Sequence, residues 1–210
     1  MKRVGLFGGT FDPIHTGHLD VAEAALRSLA LDEVLLMPAN VPPHRAAPHA
    51  SAPHRFAMAA LAIAGRQGLG LLDLEMLSPQ PSYTSTTLDR LQALGFDPRG
   101  VYLVTGADAF RDIETWKDYP ALLDRCHFAV VSRPDRPASS LKTTLPTLAS
   151  RMILPAAGLP PDGPAIVLVD APTAPVSSTD IRRRLASGES IAGMVPDLVA
   201  RYIERQGLYT

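Results

Sequence analysis

Two histidines, His15 and His18, close the run Gly8-Gly9-Thr10-Phe11-Asp12-Pro13-Ile14-His15-Thr16-Gly17-His18, and residues of these types in this order suit a polyphosphate. Glycines let a main chain come close to phosphate oxygens, and a helix start offers unpaired N–H groups at a partial positive charge. The imidazoles add donors, with a reference pKa near ~6.5 that allows neutral or charged donation. A second cluster lies far along the chain, where Ser178, Thr179 and Arg182 could turn hydroxyls, helix N–H groups and a guanidinium toward one anion. Each cluster also has an ordinary reading: a His-x-x-His pair makes turns and caps, and Ser-Thr before a helix is an N-cap with a surface arginine nearby. Zinc is disfavoured, because no cysteine cluster and no His-Glu-x-x-His pattern supplies further ligands. The sequence contains no P-loop pattern, and no Gly-x-Gly-x-x-Gly follows its first apolar run.

These residues need a scaffold, and the apolar pattern predicts one. Val4 to Phe7 reads as a buried strand breaking at Gly8-Gly9, and Leu19, Ala22, Ala25, Leu26 and Leu29 then fall at helical spacing. Strands are expected at Val34 to Met37, Gly70 to Leu74, Val101 to Thr105, Phe128 to Ser132 and Ile166 to Val169. Helices are expected at Arg55 to Ala64, Thr84 to Leu94 (closed by Gly95), Asp180 to Ala186 and Pro196 to Gln206, with Ala138 to Ala149 as a further candidate. This alternation predicts an α/β fold: a Rossmann-like, doubly wound parallel sheet that collects ligands beyond the carboxyl ends of its strands. Residues 1–210 are expected to form one domain, with the last helices, from about 178 to 210, as a small subregion. Proline-rich stretches at Pro38 to Pro53, Pro134 to Pro137 and Pro155 to Pro164 read as surface loops.

Composition narrows the function. Lys plus Arg number 20 against 21 Asp plus Glu, so the net charge of -1 gives no global case for nucleic acid or an anionic membrane, and any anion site must be local. With 46% hydrophobic residues the chain can bury a full core, yet it has no apolar run of about 18 residues. The apolar start stops too soon for a signal peptide, and the one cysteine excludes an intrachain disulfide, so the cytoplasm is the expected compartment. Cys126 and His127 are adjacent at a strand start and should point to opposite faces, which argues against a catalytic dyad. His49 and His54 read as exposed loop residues.

The motif His15-Thr16-Gly17-His18 resembles the (His/Thr)-x-Gly-His signature of the nucleotidyltransferase superfamily, and the longer run from Gly8 resembles that of bacterial nicotinate-nucleotide adenylyltransferases. Further segments are similar in the expected order: Pro38 to Arg45, Ser82 to Leu88, Gly106-Ala107-Asp108, Trp116, Ser177 to Arg182, and Tyr202-Ile203-Glu204 to Gly207-Leu208-Tyr209. Two departures stand out. Arg45 replaces a frequent lysine, exchanging a point charge for a planar fork, and Leu77 to Pro81 lacks a basic residue common in the family.

The resemblance implies transfer of the adenylyl group of ATP to nicotinic acid mononucleotide, with pyrophosphate as the leaving group. It implies that His15, His18 and Arg182 hold the triphosphate, with Gly8, Gly9, Thr10, Phe11, Gly106, Asp108, Ser178 and Thr179 completing the ATP site. The acceptor would meet Thr10, Arg45, Thr84, Ser85, Trp116, Lys117 and Arg133; Trp116 would flank the pyridine ring, and backbone N–H groups near Thr84, Ser85 and Trp116-Lys117 would favour an acid over an amide. Tyr83 can pack beside that helix start. Mg²⁺ is expected to ride on the ATP phosphates, without a dedicated set of protein ligands. The attacking phosphate is already anionic, so positioning and charge stabilisation suffice and no activated serine or cysteine is needed. The oligomeric state stays open and is compatible with a homodimer. Alternatives are a related adenylyltransferase using nicotinamide mononucleotide or phosphopantetheine, and a nucleotide-binding regulator without turnover.

Overall fold

The protein is described by a computed structural model covering residues 1–41, 47–78, 80–134, 136–157 and 163–210. Among these residues seven strands form one sheet: β1 Val4–Gly9, β2 Glu33–Pro38, β3 Leu69–Leu71, β4 Val101–Gly106, β5 His127–Val131, β6 Met152–Ile153 and β7 Ile166–Val169. The order is β3-β2-β1-β4-β5-β7-β6, and every pairing is parallel. Strands buried on both faces need near-continuous apolar sequence, which Val4 to Phe7, Val101 to Val104 and Ile166 to Val169 supply.

Helices cover both faces. α1 (Thr16–Ser28) follows β1, and α2 (Ala52–Ile63) joins β2 to β3. They pack on a core that includes Leu19, Ala22, Leu36, Met58 and Val104. α3 (Thr84–Ala93) and the single turn α4 (Ala107–Phe110) lie on the other face, where Leu88, Leu91 and Phe110 meet Leu6, Leu103 and Phe128. Strand order therefore reverses between β1 and β4, the point where an open parallel sheet leaves a crevice. Beyond a further short helix, α5 (Leu141–Thr144), come α6 (Ser178–Ala186) and α7 (Asp197–Gln206), which return to the first face through Ile181, Val199 and Ile203.

Several boundaries differ from the sequence pattern, each for a local reason. α2 begins at Ala52 because Pro53 sits in its first turn, where a missing N–H costs nothing, so the proline-rich stretch ends inside a helix. β3 stops at Leu71, since Asp73 opens a turn whose carbonyl accepts from Met76 and Leu77. The candidate helix over 138–149 breaks into a 3-10 turn, α5 and a second 3-10 stretch, because Leu145 precedes Pro146 and is held at φ -126, ψ 66. β6 was not expected; two residues are too short for a periodicity to register.

Candidate functional site

A cavity of roughly 750 Å³ opens over the carboxyl ends of β1 and β4. Its first wall is the loop from Gly8 to α1. Phe11 takes a left-handed backbone (φ 50), which folds its ring under Gly9, where a Cβ would lie 2.8 Å from ring carbons. That ring meets Phe7 edge-on at 5.5 Å and His18 at 5.0 Å. Phe11 is thus a buried support for His18 as well as part of the lining.

His15 and His18 stack at 3.7 Å between ring centroids. The His15 amide donates to His18 Nδ1 at 3.3 Å, which leaves the proton of a neutral His18 ring on Nε2. His15 is 1% exposed. Burial first, and then the positive charge of Arg133, lower its pKa to about 3, so of the two forms its reference value allows, this ring keeps the neutral imidazole. Gly17 is needed for packing, since a Cβ there would sit 2.9 Å from the Ala174 carbonyl. Asp20 accepts from the Ala174 amide at 2.7 Å, and Thr16 N donates to Met194 O at 2.9 Å, so the start of α1 is fastened to the chain around α6.

The second cluster, Ser177 to Arg182, reaches the same wall. Ser177 caps α6 by accepting from Asp180 N at 3.1 Å, which leaves Ser178 and Thr179 in the first turn beside the cavity. Ser178 Oγ donates to Pro13 O at 2.9 Å. Arg182 Nη1 donates to Asp12 O at 2.7 Å, and Nη2 donates to Thr179 Oγ1 at 3.3 Å. Between β1 and α1, Asp12 is 4% exposed and saturated: Oδ2 accepts from His49 N at 2.7 Å, and Oδ1 from Ala50 N at 3.0 Å and Tyr209 OH at 2.8 Å. Burial and the neighbouring Asp12 raise the Tyr209 pKa well above its usual range.

Arg55 is the largest surprise. It is 1% exposed and donates to four main-chain oxygens: Ala50 at 3.1 Å, Thr10 at 2.7 Å, Ala39 at 2.5 Å and Asn40 at 3.4 Å. In sequence it looks like any arginine on a helix, and only a contact map would single it out. Arg45 lies outside the described residues.

The opposite wall belongs to the other face of the sheet. Thr84 opens α3 after Tyr83, and the first-turn N–H groups have no acceptor within the helix. Thr84, Trp116 and Lys117 line the cavity; Lys117 Nζ lies 4.9 Å from the centre of the Tyr83 ring. Ser85 is buried and absent from the lining, with its carbonyl taken by Arg125 at 3.0 Å, so its expected contribution reduces to its amide. Sequence reasoning passed over Glu75 and Thr87, which are buried here and joined at 2.6 Å, the hydroxyl donating. Burial pushes the Glu75 carboxyl above the ordinary range, and the Thr87 hydroxyl opposes that shift. Between the walls, Gly106 precedes α4, Asp108 lies 3.7 Å from Arg133 Nε, and Arg133 Nη1 donates to Gly17 O at 3.5 Å.

Residues read as peripheral mostly stay so. Cys126 is buried in the core with α3, where burial raises its thiol to about 12, while His127 stacks on Tyr102 at 4.8 Å on the other side of the sheet. His49 is exposed. His54 is a correction: it sits in α2, half-buried, with Nδ1 2.9 Å from Tyr202 OH, because the helix starts before it.

Known proteins resemble the chain along most of its length. A family model described as Cytidylyltransferase-like matches residues 6–184. The chain is 42% identical over 209 residues to the "Probable nicotinate-nucleotide adenylyltransferase" of Pseudomonas fluorescens, covering 99% of this chain and 97% of that one. A protein of the same name in Pseudomonas aeruginosa is 41% identical over 209 residues, again with 99% and 97% covered. Among solved structures, Plasmodium falciparum nicotinic acid mononucleotide adenylyltransferase complexed with NaAD has a TM-score of 0.78 at 20% identity, with 100% of this chain and 98% of that chain covered. That last likeness establishes the doubly wound fold.

Proposed function

We propose a reaction for a chain that belongs to the cytidylyltransferase-like family and, within it, to the nicotinate-nucleotide adenylyltransferases: it transfers the adenylyl group of ATP to nicotinic acid mononucleotide, giving nicotinic acid adenine dinucleotide and pyrophosphate. The observation that carries this reading is a single cavity with two unlike walls. One wall gathers His15, His18 and Arg182 at the starts of α1 and α6; the other offers the start of α3 and the Trp116 ring.

On the first wall His18 Nε2, Arg182 and the helix N–H groups would hold the triphosphate, with Gly8, Gly9, Thr10, Ser178 and Thr179 lining its path. Gly106 and Asp108 stand at the end of β4, where a carboxylate can accept from ribose hydroxyls. On the second wall Trp116 would stack on the pyridine ring, the Thr84 and Ser85 amides would receive its carboxylate, and Lys117 adds positive charge. Arg133 and Arg45 complete the acceptor side of the proposal.

In the transfer step a phosphate oxygen of the mononucleotide forms a bond to the α-phosphorus of ATP as the bond to the bridging α–β oxygen breaks, and the electron pair leaves with pyrophosphate. The protein holds the two groups in line and stabilises the developing negative charge, and it supplies no covalent nucleophile. In this proposal Mg²⁺ would be carried through phosphate oxygens, near Asp108, whose carboxylate stands 3.7 Å from Arg133 Nε. When bound, that ion would neutralise phosphate charge. No helix among the described residues is long and apolar enough to cross a membrane, and action in the cytoplasm on dissolved nucleotides belongs to this proposal.

Purified protein given ATP with nicotinic acid mononucleotide, nicotinamide mononucleotide or phosphopantetheine tests the reading. Pyrophosphate should appear fastest with the acid mononucleotide. Preference for phosphopantetheine, or no release with any acceptor, would overturn it.

A further inference from the structure

We infer that Tyr209 is a positioning residue: by satisfying the Asp12 carboxylate it keeps the Arg182 guanidinium from turning onto that carboxylate and in place to hold the ATP phosphates. This rests on the role proposed for Arg182. The argument begins with competition. Arg182 Nη1 is bonded to the main-chain oxygen of Asp12 at 2.7 Å, yet stands 3.9 Å from Oδ2 of the same residue. A buried carboxylate short of donors is a strong competitor for a guanidinium, because a two-pronged ion pair answers both of its oxygens. Here that demand is met elsewhere, by the amides of His49 and Ala50 and by the Tyr209 hydroxyl at 2.8 Å. Arg182 is left bonded through Nη1 to the loop and through Nη2 to Thr179, with its remaining N–H groups on a side chain that lines the cavity.

The chain makes a deliberate turn to place that hydroxyl. α7 ends in a left-handed Gly207 (φ 58), with the Leu208 amide bonded back to Ile203 O at 3.1 Å. Tyr209 is itself left-handed, at φ 66, a conformation that costs a residue with a side chain and persists only where the surroundings impose it. The ring packs against the first core, so loss of the hydroxyl alone leaves the packing intact. Burial raises the phenol pKa, and the group stays a donor throughout the neutral range.

The test is Tyr209→Phe in the full chain, alone and combined with Arg182→Ala, with KM for each substrate, kcat and the thermal midpoint measured. Tyr209→Phe should raise the KM for ATP about tenfold, the scale of one charge-assisted hydrogen bond, and leave the mononucleotide KM nearly unchanged, while the midpoint falls but stays above the assay temperature. In the Arg182→Ala background the same change should add nothing to the ATP constant, because the two residues act through one interaction. An unchanged ATP constant in Tyr209→Phe overturns the inference, as does an equal rise for both substrates or a full additive effect without Arg182. If Arg182→Ala alone leaves ATP handling intact, the fault lies in the role given to Arg182.

Discussion

The two walls of the cavity are built on different principles. At the histidine wall, specific side chains do the positioning: Phe11 props His18, Asp12 gathers His49, Ala50 and Tyr209, and Arg182 is braced on the loop. At the α3 wall the groups proposed to meet a ligand are main-chain amides at a helix start and the flat ring of Trp116, backed by a buried Glu75–Thr87 pair. Side-chain deletion should therefore be severe on the first wall and mild on the second, except where it removes the ring.

The most damaging change should be His18→Ala, which removes a donor from the phosphate site and leaves the core in place. The expected loss in kcat/KM is about 10²- to 10³-fold, the scale of one transition-state donor, with the thermal midpoint hardly moved. Turnover near that of the unmodified protein would erase the contrast between the walls. Arg182→Lys comes next. An ammonium cannot reproduce the planar fork, and kcat/KM for ATP should fall by about 10- to 100-fold. A rise confined to the mononucleotide constant would move Arg182 to the other substrate.

The second wall yields smaller and more discriminating effects. Trp116→Ala should weaken the acid and amide mononucleotides alike, by about tenfold, since stacking does not distinguish them. Acid preference itself should be roughly 5- to 150-fold, from the cost of leaving buried amide donors facing an NH₂ group. Thr84→Ala should keep most of that preference because the backbone donor remains. Its disappearance in Thr84→Ala, measured as the ratio of kcat/KM values, would show that this wall too relies on a side chain.

A last effect falls on stability and leaves turnover aside. His15 has a folded pKa of about 3 against an ordinary value of 6.5, so below pH 6.5 the unfolded chain takes up a proton that the folded chain refuses. Stability is full above that value and falls as acid is added toward pH 3. His15→Asn should flatten the slope of the melting temperature between pH 6.5 and 4; an unaltered slope would mean that the ring is not held neutral.

The same contrast explains what could be read before folding. The doubly wound order followed from apolar runs alternating with helical spacing, and the histidine wall followed because its chemistry is written in residue types. Arg55 escaped, since nothing in Pro53-His54-Arg55-Phe56 distinguishes a buried guanidinium from a surface one. Asp12 and Tyr209 lay inside segments noticed for their resemblance, but their bond spans 197 residues and no local pattern announces it. Ser85 was read from its position and turned out to face inward, because amide donors can line a cavity while their own side chains do not.

The Arg55 grip has an implication for engineering. Its guanidinium takes hold of Ala39, Asn40 and Ala50 by their carbonyl oxygens, while Asp12 holds the amides of His49 and Ala50. Carbonyls and amides come with nearly every amino acid, so the anchors do not depend on which residues stand at those positions. Ala39, Asn40, His49 and Ala50 are in effect mounting points with standard fittings. A substitution at exposed His49, with Arg55 and Asp12 left alone, therefore keeps the mount intact.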